Sequence, residues 1–111
     1  MSVMVLTDKT FSEVVAKNEI VVVDFWAQWC EPCKSFAKVM EKLAEKYPDI
    51  IFASVDIDQE KELTRDFKII SVPSIMILKK QVVIFADSGA LPATALSELI
   101  DKAKELDVSQ L

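Results

Sequence analysis

A chain of 111 residues, 51% apolar and 28% charged, has the length and composition of one globular domain able to bury a core without metals or disulfides. Thirteen basic residues against eighteen acidic ones leave a formal charge of −5, which argues against a nucleic-acid or basic membrane-surface role. The single glycine excludes Gly-rich phosphate loops, and no apolar run approaches the length needed to span a bilayer.

Along the chain, Met1–Thr10 shows no basic stretch followed by a long apolar one, so no signal peptide is expected. Val3–Leu6 is a short apolar run and a first strand. "TFSE", Thr10–Glu13, reads as a capping box: the Thr10 hydroxyl caps a helix while Glu13 reaches back, and the helix runs to about Asn18. Ile20–Phe25 is β-branched and apolar on both faces, the signature of a central strand covered on both sides, and Asp24 is its only charge. From Pro32 to Tyr47, Phe36, Val39, Met40, Leu43 and Tyr47 form one helical face. Pro32 suits a first helical turn, where its missing N–H would be unpaired anyway, and Pro48 ends the helix. Ile50–Ile57 is another strand and Gln59–Phe67 a short helix. "SIMIL" and "QVVIFA" are two strands whose short connection through Lys79-Lys80 makes them antiparallel neighbours. After Ser88-Gly89, a last helix carries Leu96, Leu99, Ile100, Ala103 and Leu106 at helical spacing. The order β-α-β-α-β-α-β-β-α predicts an α/β fold with a parallel core and a mixed sheet, in one domain over residues 1–111 without repeats or linkers.

Both cysteines, Cys30 and Cys33, lie in "DFWAQWCEPCKSF", and the chain has no histidine. As a structural staple the pair closes a very short loop, and a disulfide gains stability with loop length. As a zinc site it supplies two ligands where four are needed, so no metal or other bound cofactor is expected. A redox role fits better. Cys30 stands where a helix begins, and free N–H groups and a partial positive charge there favour a thiolate. Cys33 is close enough to attack a mixed disulfide formed on Cys30. A strand–CxxC–helix arrangement inside a βαβ pattern is a specific redox signal. Asp24, a carboxylate in a two-sided apolar strand, is expected to be desolvated and raised toward the range of a general base.

These residues carry a resemblance to the thioredoxin family. "DFWAQWCEPCK" is similar to the family's aspartate, tryptophan and W-C-G-P-C-K stretch. "TDKTF" resembles its first helix start, "VDIDQ" the end of its third strand, "SVPS" its cis-proline loop and "SGAL" the loop before its last helix. The resemblance covers about Val3 to Leu106 and implies the thioredoxin fold, a three-layer α/β arrangement with a mixed central sheet of about five strands between helices. It implies Cys30 as the exposed attacking thiolate, Cys33 as the buried resolving thiol, and Asp24 beneath Cys33 as a base acting through a water. Trp29, Glu31 and Pro32 then flank the attacking sulfur, with Trp26 packed under the loop as core. Pro73 follows a cis bond after Val72, and Val72, Pro73, Gly89 and Ala90 form a shallow apolar surface where the backbone before the proline pairs with the substrate chain.

The chain departs from the family's pattern at Glu31 (a glycine in the usual tetrad), at Lys38 (often a helix-kinking proline), at Ser54 (often a lysine paired with the buried aspartate) and at Lys80-Gln81 (a glycine-containing turn). The implied activity is reduction of protein disulfides, with an NADPH-dependent thioredoxin reductase regenerating the dithiol, in a cytoplasmic monomer. Two alternatives stand beside it. One is a dedicated reductase for few partners, since C-E-P-C resembles the tetrad of some membrane-anchored thioredoxin-like reductases of cytochrome c maturation. The other is a thioredoxin-fold binding module without turnover.

Overall fold

In the computed structural model, which describes residues 3–110, the elements follow in the order β1 (Val3–Val5), α1 (Phe11–Lys17), β2 (Ile20–Trp26), α2 (Glu31–Lys46), β3 (Ile51–Asp56), α3 (Lys61–Asp66), β4 (Ser74–Lys79), β5 (Val82–Ser88) and α4 (Ala93–Glu105), with a 3-10 turn over Val108–Gln110. The five strands form one mixed sheet in the order β1-β3-β2-β4-β5. β1 and β2 both run parallel to β3, while β4 is antiparallel to β2 and to β5.

The pleat of β2 sets the two faces. Successive side chains of a strand point to opposite sides. Ile20 and Val22 therefore meet Phe36, Met40 and Leu43 of α2 and Leu96 and Ile100 of α4, whereas Val21, Val23 and Phe25 meet Phe11 and Val15 of α1 and Leu63 of α3. Burial of such a side chain contributes roughly 1.5–3 kcal/mol, so both layers are held by the same central strand. The same alternation assigns Asp24 to the α2 face. On α2, Cys33, Phe36, Met40, Leu43 and Ala44 are the buried stripe, which makes Cys33 the first member of the helix's core-facing side.

Several local expectations are corrected. Thr10 does not cap α1: its backbone is already in the helical region (φ −103°, ψ −16°) and its hydroxyl makes no capping bond. Thr7 takes that place one turn earlier, its Oγ1 accepting from the N–H groups of Lys9 and Thr10, while Glu13 pairs with Lys17 at 3.0 Å instead of reaching back. Helix α2 begins at Glu31, one residue before the expected start, and α3 is shorter than Gln59–Phe67. The hairpin turn is Lys80-Gln81, both at positive φ (49° and 70°). Lys79 belongs to β4 and is buried, with Nζ donating to the backbone carbonyls of Ala103, Lys104 and Leu106 at the end of α4.

Candidate active site

Strand β2 ends at Trp26, and the chain turns through Ala27 and Cys30 into α2. The Cys30 N–H donates to the Ala27 carbonyl at 3.2 Å. Cys30 is the N-cap of α2, in extended conformation, and its sulfur accepts the Cys33 N–H at 3.2 Å. That N–H is one of the four a helix start leaves without an intrahelical partner, so the sulfur sits in the position a capping oxygen would take and meets the positive end of the helix. The two cysteines are joined as a disulfide, with their Cα atoms 5.3 Å apart.

The expectation of an exposed Cys30 above a buried Cys33 is corrected. As residues both are buried, at 4% and 2% exposure, packed with Ala27 and against Trp26, Ile57 and Val72. Position separates them instead: Cys30 caps the helix, and Cys33 points along the buried stripe toward β2. There it lines a cleft together with Asp24.

Asp24 is 3% exposed, and its Oδ1 has no hydrogen-bond partner among the described residues. Burial pushes its carboxyl up to about 7 from an ordinary 3.8, because the charged form loses its hydration with no cation to replace it. Ser54, its register partner on β3, lines the same cleft.

The remaining residues surround the disulfide. Trp29 is 68% exposed, with Nε1 donating to Asp58 Oδ2 at 3.0 Å; Asp58 lies in the "VDIDQ" stretch, and nothing in its sequence context points to this contact. Glu31 and Pro32 are exposed on the first turn of α2, and Glu31 accepts from Lys34 Nζ at 3.0 Å. That pairing is legible only as i,i+3 spacing. Val72, half-buried, packs against the cysteines, and its peptide bond to Pro73 is cis, as expected. Among the described residues no hydrogen bond engages the N–H or C=O of Val72. Pro73 is buried, and its carbonyl accepts the Gly89 N–H at 2.8 Å, which ties the loop before β4 to the loop after β5. Gly89 stands at φ +103°, and a Cβ there would meet nothing within 4 Å, so the glycine answers to backbone conformation and not to space. Ala90 follows, exposed. Among the described residues, no group of three or more His, Cys, Asp or Glu side chains is placed to hold a metal.

The thioredoxin family model matches residues 2–102. The chain belongs to the thioredoxin family. It is 46% identical over 110 residues to the Streptomyces coelicolor protein named "Putative thioredoxin 2", covering 99% of this chain and 82% of that one. Identity to Bacillus subtilis thioredoxin is 34% over 103 residues, covering 92% and 98% of the two chains. Among solved structures, the thioredoxin of Plasmodium falciparum superposes with a TM-score of 0.83 at 35% identity, over 90% of this chain and 98% of that one. Spinach chloroplast thioredoxin f gives a TM-score of 0.84 at 39% identity, over 92% and 93%. The five-stranded sheet and the CxxC pair at disulfide distance are thus those of a thiol–disulfide oxidoreductase acting on protein disulfides. No helix among the described residues is long and apolar enough to cross a membrane.

Proposed function

We propose that the chain is a general protein-disulfide reductase in which Cys30 attacks and Cys33 resolves. The Cys30 thiolate displaces one sulfur of a substrate disulfide, forming a mixed disulfide and releasing the first substrate thiolate. Cys33, losing its proton to Asp24, attacks Cys30 Sγ and releases the second. Two electrons pass from the dithiol to the substrate, and the Cys30–Cys33 disulfide remains. The observation that carries this assignment is the Cys33 N–H bond to Cys30 Sγ at 3.2 Å at the start of α2, which favours negative charge on Cys30.

Trp29, Glu31, Pro32, Val72, Pro73, Gly89 and Ala90 form the substrate-docking rim. The unpaired backbone groups of Val72 suit strand-like pairing with an extended substrate segment, and exposed Trp29 and Ala90 supply apolar contact. The working form is a single-domain cytoplasmic monomer over residues 1–111, carrying electrons from an NADPH-dependent thioredoxin reductase. A binding module without turnover has no use for two cysteines held at bonding distance, and no observation favours a dedicated reductase over a general one.

The test is trapping. Cys33→Ser is expected to accumulate mixed disulfides with protein substrates, and Cys30→Ser to accumulate few. Equal trapping by both variants, or trapping through Cys33 alone, would overturn the assignment.

A further inference from the structure

Ile70 is the most exposed large apolar side chain among the described residues, at 96%. A single exposed isoleucine is ordinary on a protein surface. This one is held in place from both sides. Before it, the Ile69 N–H donates to the Thr64 carbonyl at 2.9 Å, and the Ile69 side chain packs into the core layer beneath α1 and α3. After it, the Ser71 carbonyl accepts the Ser74 hydroxyl at 2.7 Å, and the Pro73 carbonyl accepts the Gly89 N–H at 2.8 Å. The loop displays Ile70 on a fixed backbone, so a contact made there costs little ordering entropy.

The chain fixes its place relative to the cysteines. Ile70 stands two residues before Val72, which packs against Cys30 and Cys33. Both cysteines are buried. A partner disulfide therefore reaches Cys30 on a segment that crosses Val72, and the residues beside that disulfide meet Ile70. The surface between them is continuous. Ile70 lines a cleft of about 210 Å³ together with Ser71 and Ser88, the residues that immediately precede Val72 and Gly89 of the rim. That is smaller than the roughly 300 Å³ at which small-molecule pockets begin, and it suits one side chain of a protein. Lys68 and Asp87, one charge of each sign, also line it beside Phe67, so the cleft selects by apolar fit and not by charge.

We propose that Ile70 is a specificity residue for protein substrates: it packs against an apolar side chain that the partner carries beside its disulfide and seats that side chain at the mouth of the cleft. The inference rests on the reading of Val72 and Gly89 as part of the docking rim. It adds no chemical step. Thiol–disulfide exchange at the cysteines is the same for every substrate, and Ile70 acts on which substrate is held there. A small disulfide that touches only the cysteines gains nothing from Ile70, whereas a protein disulfide flanked by leucine, valine or phenylalanine buries it. Apolar area buried in the encounter that leads to exchange lowers its free energy, so losing that area lowers kcat/KM.

The probes are cyclic peptide disulfides of one sequence that carry either leucine or serine within two residues of each cysteine, with hydroxyethyl disulfide as the small substrate. Pre-reduced protein is mixed with each, and the second-order rate constant of reduction is measured. Ile70→Ser is expected to lower the constant for the leucine peptide about five-fold or more. Its constants for the serine peptide and for hydroxyethyl disulfide, and its melting temperature, are expected to match the wild type, and Ile70→Leu is expected to keep the wild-type constant for the leucine peptide. Leu106, exposed beside Lys79 at the far end of β4, supplies the control: Leu106→Ser is expected to leave every constant unchanged. Wild-type constants in Ile70→Ser, an equal loss for both peptides, a parallel loss with hydroxyethyl disulfide, or the same loss in Leu106→Ser overturns the specificity role while leaving the reductase reading intact. Reduction of hydroxyethyl disulfide but of neither peptide by the wild-type protein sinks the docking-rim reading, and the specificity role with it.

Discussion

Asp24 and Ser54 stand opposite each other in the parallel register of β2 and β3, line the same cleft, and are joined by no hydrogen bond. A buried carboxyl is thus left without either a cation or a hydroxyl partner. Its ionisation costs the folded state energy that the unfolded chain does not spend.

Stability should fall as that carboxyl ionises. A rise from 3.8 to about 7, at 1.36 kcal/mol per pH unit, amounts to roughly 4 kcal/mol as an upper bound. Below the unfolded value both states hold the proton and nothing is lost. Between 3.8 and about 7 the unfolded chain releases it while the folded one keeps it, so stability drops as pH rises; above about 7 the penalty is fully present. Asp24→Asn should abolish this component and be the more stable protein at pH 8. Urea unfolding of both oxidised proteins from pH 4 to pH 8 checks it, and parallel stability curves would disprove it.

A cation placed opposite Asp24 should reverse the effect. Ser54→Lys puts an ammonium beside the carboxyl and should lower its titration midpoint by more than one pH unit, since an opposite charge nearby favours the ionised form. NMR titration of the Asp24 carboxyl carbon reads this directly. An unmoved midpoint would mean that the new side chain turns out to solvent.

Glu31 and Lys34 should tune Cys30 in opposite directions. The carboxylate follows Cys30 and disfavours negative charge on its sulfur, while Lys34, 3.0 Å from Glu31, offsets it. Glu31→Gly should therefore speed alkylation of reduced Cys30 at neutral pH and make the redox potential less negative, and Lys34→Ala should do the reverse. Both side chains are largely exposed (81% and 62%), and exposed pairs are worth at most about 1 kcal/mol, so each rate change should stay below roughly ten-fold and shrink in high salt. Iodoacetamide kinetics and equilibration in glutathione buffers measure the two quantities; changes of the same sign in both variants would refute the assignment.

Lys79 should matter for stability and not for turnover. Its Nζ lies among the carbonyls of Ala103, Lys104 and Leu106 at the C-terminus of α4, where the helix ladder runs out; of the three, the Ala103 carbonyl also accepts the Leu106 N–H at 3.3 Å. Lys79→Met keeps the buried stem but removes the donors, and leaving buried acceptors unsatisfied costs about 1–3 kcal/mol. The expected result is a protein destabilised by that order, by denaturant melts, with the wild-type rate of disulfide reduction. An unchanged midpoint would show that water replaces the ammonium.

The elements that depend on local periodicity are legible in the amino-acid sequence by itself. The two-sided apolar run around Asp24 identifies a central strand, and the helical stripe through Phe36, Met40 and Leu43 identifies α2, because pleat and helix repeat within a few residues. The spacing of Cys30 and Cys33 at a helix start points to redox chemistry for the same reason, since both the cap and the short loop are local. The family resemblance adds the cis bond at Pro73 and the neighbourhood of Gly89. Even locally, Thr10 misleads: the capping box describes a pattern, yet the Thr10 hydroxyl caps nothing in α1, and the Thr7 hydroxyl one turn earlier accepts the Lys9 and Thr10 N–H groups instead.

Tertiary structure alone decided which distant groups complete each other. Asp8 caps α3 by accepting the Leu63 N–H, 55 residues away, and the Pro73 carbonyl binds the Gly89 N–H across two loops. It was sheet order that brought Val3 and Val5 of β1 and Ser54 of β3 beside Asp24 and put Val72 against the cysteines on the other flank. Burial took both cysteines out of solvent, so that helix position and not exposure distinguishes the two. A hydrogen-bond partner far along the chain, or the strand lying beyond a neighbour, leaves no trace in local spacing. Those pairings are selected by the packing of the whole sheet, where the order of strands sets which buried polar groups find partners and which, like Asp24, do not.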